Sequence, residues 1–208
     1  MCGIVGLFIK DEALEADLGK LMAGMLATMC ERGPDSAGFA VYGAPTAGHG
    51  KITLQSPDPE TDFPRLAETL AQTVDPAATL DVKSTHAVVA CGRDRLEDVR
   101  RVVREEFPSV RIMGAGEAVE IYKEVGWPTD VAKRFDLAGM AGTHAIGHTR
   151  MATESAVTTL GAHPFSTGPD QCLVHNGSLS NHNNLRRELV RSGMTFELSL
   201  GFGITSVS

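Results

Sequence analysis

The chain has 208 residues, with 19 basic against 26 acidic side chains, a formal net charge of −7, 42% hydrophobic residues and 22% charged. At roughly 150 residues per domain, this length fits one domain with room for an insertion and a sizeable core. The composition excludes disordered, collagen-like and membrane-embedded classes, and mild acidity without a basic face argues against nucleic acid or an anionic membrane as partner.

The opening Met-Cys-Gly-Ile-Val-Gly-Leu-Phe-Ile predicts a short strand over 3–9. It lacks the basic flank and the cleavage site of a secretory signal, and nowhere does the chain approach the ~18 apolar residues of a membrane span. Leu18, Leu21, Met22, Met25, Leu26 and Met29 follow at helical spacing and predict an amphipathic helix whose methionines serve as core. Gly33 and Pro34 oppose its continuation, and 38–42 resumes as a strand. Residues 43–62 read as strand ends and loops around Ile52-Thr53-Leu54.

From 63 to 135 the pattern becomes an α/β alternation: helix, strand over 86–90, basic helix over 93–106, strand over 110–113 and further helix. We read it as a segment inserted between the motif-bearing parts. Within it Gly114-Ala115-Gly116 is expected between a strand and a helix, but Val119 stands where a dinucleotide fingerprint needs its third glycine, so no nucleotide site is assigned. In the last third Leu185 and Leu189 mark a helix, with Ser180 or Asn181 as N-cap and Gly193 as its stop.

Cysteines at 2, 30, 91 and 172 form no C-x-x-C pair, as expected of free thiols in a reducing cytoplasm. His148, His163, His175 and His182 match no zinc spacing, and neither a metal nor a flavin, iron–sulfur or nucleotide cofactor is expected.

Cys2 is the most informative position. A small residue after the initiator methionine permits its removal, leaving one cysteine that bears both a thiol and a free α-amine. Such an amine titrates near pH 7.7–8.0 and can take the thiol proton. Thiolate attack on an amide builds negative charge on the carbonyl oxygen, which the Asn176 side-chain amide and the Gly177 backbone N–H can meet together. Arg150 offers a planar fork for a substrate carboxylate. Taken singly, these residues also suit a buried thiol, a tight turn and a structural ion pair. Their ordered combination is far more specific.

The stretches Met1-Cys2-Gly3-Ile4-Val5-Gly6, Arg32-Gly33-Pro34-Asp35-Ser36-Ala37-Gly38, Gly147-His148-Thr149-Arg150-Met151-Ala152-Thr153, His163-Pro164-Phe165 and His175-Asn176-Gly177-Ser178-Leu179-Ser180-Asn181 bracket almost the whole chain. Together they resemble the class II glutamine amidotransferases of the N-terminal-nucleophile (Ntn) hydrolases. The resemblance implies an α+β fold, a four-layer αββα sandwich, with an amidotransferase domain over 1–195. It also implies glutaminase chemistry: Cys2 as nucleophile, Asn176 and Gly177 as oxyanion hole, and Arg150 on the glutamine α-carboxylate. Thr153 and His163 fall in the supporting shell, and Arg32 and Gly33 in the loop that positions the nucleophile.

Two departures from the family pattern stand out. Met151 replaces the tryptophan that often follows the arginine, and no aspartate follows Asp170, where the family supplies one to hold the substrate amine. Residues 196–208 are therefore expected to form an atypical, altered or truncated tail. An unpaired substrate ammonium weakens glutamine binding by roughly a hundredfold. The long middle segment is similar to stand-alone amidotransferase-like subunits of glutamate-synthase-type systems, including N-methylglutamate synthase, which implies ammonia delivery to a synthase or transferase partner. The competing expectations are a non-catalytic regulatory or assembly subunit, and an Ntn amidase with another amide substrate.

Overall fold

The computed structural model describes residues 2–152, 156–177, 181–192, 195–196 and 204–206. In chain order they form β1 (Gly3–Phe8), α1 (Leu18–Ala27), β2 (Ser36–Tyr42), β3 (His49–Gln55), α2 (Pro59–Thr73), β4 (Thr79–Lys83), β5 (His86–Gly92), α3 (Leu96–Glu106), β6 (Arg111–Gly116), β7 (Val119–Val125), α4 (Pro128–Arg134), β8 (His144–Arg150), β9 (Phe165–Gly168), β10 (Gln171–Leu173), α5 (His182–Arg191), β11 (Thr195–Phe196) and β12 (Ile204–Ser206). The class is α+β; among the described residues the named strands pair antiparallel, and an isolated bridge between Pro34 and Arg150 is parallel. One four-stranded sheet runs β1-β8-β2-β7 and a second runs β4-β5-β3-β6, with β9-β10 and β11-β12 as smaller pairs.

The apolar patterns explain which faces close. In β1, Val5 is buried whereas Ile4 and Phe8 are exposed, because this strand lies at a sheet edge with one covered face. β2, flanked by β8 and β7, is buried on both faces, with Phe39 and Val41 on one side and Gly38 and Ala40 on the other. α1 lays Leu18, Met22 and Leu26 on the first sheet, where Phe39, Tyr122, Val131 and Phe135 complete the cluster. Met22 is thus core, Met25 and Met29 pack at its margin, and Leu21, expected on the same stripe, is exposed. Truncating Leu26 to Ala there costs about 2–5 kcal/mol.

α2 and α3 cover the second sheet. Phe63, Leu66 and Leu70 from α2 and Val99, Val102 and Val103 from α3 pack on Ile52, Leu54, Val89 and Ala115. Of the arginines of α3, half-buried Arg100 pairs with Glu97 and exposed Arg101 with Asp98 of the same helix, so these two are engaged in local ion pairs rather than forming an anion site. Ala40, Val119 and Ile121 of the first sheet meet Met113 of the second in a further cluster.

Three expectations need correction. Gly114-Ala115-Gly116 does not precede a helix; it ends β6, and β7 turns straight back from it. The turn closes because the Asp170 carboxylate accepts the backbone N–H groups of Glu117, Ala118 and Val119 at 2.8, 2.8 and 2.9 Å. That carboxylate sits where a Cβ on Gly116 would fall, 2.2 Å away, so the small residue makes room for an aspartate and not for a phosphate. β4, within 63–135, is a strand beyond those expected: Thr79-Leu80-Asp81-Val82-Lys83 does alternate polar and apolar residues, but over only five positions at a sheet edge, with Val82 exposed. Asn181 precedes α5 at φ 63°, but its side chain forms no cap hydrogen bond; Ser180 and Gly193 lie outside the described residues.

Candidate active site

The motifs converge at one end of the first sheet. Gly3, the first residue of β1, pairs with Thr149, and Ser36, the first residue of β2, pairs with Arg150, so the start of two strands meets the end of β8. Cys2 stands immediately before β1, with its Sγ 3.9 Å from the Met151 carbonyl. From the far end of the chain, the Asn176 side-chain amide donates to the Cys2 carbonyl at 2.9 Å. Gly177 follows with a φ of 155°.

Arg150 is held from both sides. Its Nη1 donates to the Gly161 carbonyl at 3.2 Å, and its own carbonyl accepts the Asp35 N–H at 3.0 Å. The Asp35 carboxylate accepts the Ala152 N–H at 2.7 Å, so the Arg-Gly-Pro-Asp turn seats the end of β8. Gly33 lies against that strand: a Cβ there would fall 2.5 Å from the Thr149 carbonyl carbon and 2.6 Å from the Arg150 nitrogen. Only glycine permits this approach without moving backbone. Arg32 is exposed, and Thr153 lies outside the described residues.

Two histidines link β8 with the loops that carry His163 and Asn176. His148 on β8 and His163 face each other with ring centroids 4.4 Å apart, and His163 meets the Phe165 ring edge-on at 4.5 Å. Burial lowers the pKa of His148 to about 4 and that of His163 to about 3, the latter further depressed by neighbouring cationic groups that include Lys123. Both are neutral at pH 7. His148 Nε2 lies 3.1 Å from the His175 carbonyl; since a carbonyl only accepts, Nε2 carries the proton. The ring thereby tethers the residue preceding Asn176 to β8.

No family model matches the chain. It is 66% identical to the glutamine amidotransferase-like protein GlxB of Rhizobium meliloti over 197 residues, 95% of this chain and 65% of that protein. With a putative glutamine amidotransferase of Methanothermobacter thermautotrophicus it shares 35% identity over 210 residues, 95% of this chain and 68% of the relative. The chain belongs to the glutamine amidotransferases. It spans about two thirds of the length of these two relatives. A shorter match, 29% identity over 49% of this chain, links it to 17% of the glutamine–fructose-6-phosphate aminotransferase of Methanococcus maripaludis.

The region around these motifs also contains residues to which sequence reasoning assigned no role. Asp35 was visible within the motif, but its grip on the Ala152 N–H depends on tertiary approach. Lys123 carried no local signal, since it stands among charged neighbours Glu120 and Glu124, yet it is buried with its ammonium among the carbonyls of the 160–164 loop. Among the described residues no group of three or more His, Cys, Asp or Glu side chains could hold a metal ion, and no helix is long and apolar enough to cross a membrane.

Proposed function

We propose that the chain is a glutaminase that uses Cys2 as an N-terminal nucleophile and delivers ammonia to a synthase or transferase partner. The observation that carries this reading is the 2.9 Å hydrogen bond from the Asn176 amide to the Cys2 carbonyl, which joins residues 174 positions apart. One amide N–H is spent on that contact; the second, with the Gly177 N–H, remains for an oxyanion. The names carried by its relatives favour the same substrate, glutamine.

In this reading, removal of Met1 frees the Cys2 α-amine, which accepts the thiol proton. Sγ attacks the glutamine side-chain carbonyl, and the oxygen takes up the negative charge. The intermediate collapses as the C–N bond breaks, and ammonia leaves with the proton held by the amine. Water then adds to the thioester, releasing glutamate and regenerating the thiol. Arg150 binds the substrate α-carboxylate, Thr153 and His163 support it, and Arg32 and Gly33 hold the adjoining loop. The architecture we propose is the four-layer αββα sandwich, with α1 and α4 outside one sheet and α2 and α3 outside the other. The three apolar clusters support that order. In the same scheme 1–195 form the amidotransferase domain, and 63–135 are inserted in sequence between its motifs.

The test is glutamate release from glutamine by the purified protein beside Cys2→Ala, with intact mass spectrometry of the N-terminus. Release by the wild type, absent in the variant and accompanied by loss of Met1, is expected. Equal background release by both favours the non-catalytic subunit, and retention of Met1 in active protein removes the N-terminal-amine mechanism.

A further inference from the structure

Lys123 is a charged residue in a core position. It lies on β7, is 4% exposed, and donates to the carbonyls of Leu160, Ala162 and Pro164 at 3.4, 2.9 and 3.2 Å, while its ammonium rests over the Phe165 ring at 4.4 Å. Three carbonyls of one short loop therefore turn inward on a single cation, an arrangement in which their dipoles repel one another unless a positive charge fills the centre. The neighbouring strand is shaped to admit it. Gly38 pairs with Lys123, and a Cβ at 38 would fall 2.2 Å from the His163 carbonyl and 2.5 Å from the Lys123 Cβ.

The same loop forms one wall of the Arg150 site. Gly161, between the clamped carbonyls of Leu160 and Ala162, accepts the Arg150 Nη1, and His163, between those of Ala162 and Pro164, faces His148. We propose that Lys123 is a positioning residue: its ammonium curls the 160–164 loop so that the Gly161 carbonyl fixes the Arg150 guanidinium for a substrate carboxylate. This inference rests on the glutaminase reading for the identity of that carboxylate. The geometry of the clamp does not depend on it.

The near-isosteric Lys123→Met removes the charge, Lys123→Arg keeps it, and Gly161→Ala crowds Arg150 directly, because a Cβ at 161 would fall 3.0 Å from Nη1. Two readouts apply to each variant: nitrogen NMR of the Arg150 guanidinium, which is sharp and slowly rotating when held, and KM and kcat for glutamine. Lys123→Met is expected to average the Arg150 signal and raise KM about tenfold while kcat changes less than about twofold, with Lys123→Arg intermediate. Gly161→Ala should give the same KM phenotype with Lys123 intact, so a poorly folding Lys123→Met would not shelter the proposal. An Arg150 signal unchanged in Lys123→Met, or a fall in kcat at constant KM in either variant, overturns it. A wild type inert toward glutamine sinks the glutaminase reading instead, and the guanidinium signal still decides the clamp.

Discussion

Acid should destabilise this protein through its buried histidines. His86 is fully buried between Tyr122 and Phe135, and burial, then the Lys123 charge, lowers its pKa to about 3; His148 and His163 lie near 4 and 3, mainly through burial. A base whose folded-state pKa lies below its unfolded value of about 6.5 binds protons more readily when unfolded. Its contribution is therefore intact above pH 6.5 and is lost as pH falls toward the folded value. Between pH 7 and 5 the linkage amounts to about 2 kcal/mol for a fully buried histidine. His163 is partly exposed and counts for less, so the three together cost about 5 kcal/mol, the lower end of a typical domain's stability. Asp75, held below the usual carboxylate range by the backbone N–H groups of Ala77 and Gly92, stays ionised in this window. Urea denaturation followed by far-ultraviolet circular dichroism at pH 7, 6 and 5 should show a midpoint falling steeply. His86→Leu, of similar volume, should make the loss smaller by about 2 kcal/mol. Equal midpoints at pH 7 and 5, or NMR titration of these rings near 6.5 in the folded protein, would refute the reasoning.

Other outcomes follow from single contacts. Gly33→Ala drives a methyl into the β8 backbone; we expect a loss of about 1–3 kcal/mol in urea denaturation together with a raised KM for glutamine, and an unchanged midpoint would contradict the close approach. Asp170→Ala unpairs the N–H groups of Glu117, Ala118 and Val119 and should cost about 2–3 kcal/mol, measured the same way, with hydrogen exchange accelerated at the β6–β7 turn. Asn176→Ala should lower kcat about a hundred- to a thousandfold with little change in KM, and a pure KM effect in steady-state kinetics would remove it from the oxyanion hole.

Local spacing was enough for much of the fold. The apolar stripe of α1, the breaker Arg32-Gly33-Pro34 and the run that becomes β2 are all legible because helix and strand periods, and the backbone limits of glycine and proline, act over a few residues. The motif order likewise pointed to Cys2, Arg150 and Asn176 before any geometry was known. Where neighbours alternate in burial irregularly, that legibility failed. β7 buries Ile121 and Lys123 on one face and Tyr122 and Glu124 on the other, so no period-two pattern marks it as a strand.

Contact between distant positions was decided by the tertiary structure alone. Nothing near Cys2 in the chain announces that Asn176 will reach its carbonyl, and nothing near Lys123 announces that three carbonyls from the 160–164 loop will close around it. A buried charge is tolerable only when partners satisfy it, and those partners come from whichever strands the sheet order brings alongside. That order is set by burial summed over two sheets and their helices, a property of the whole chain that no local window contains.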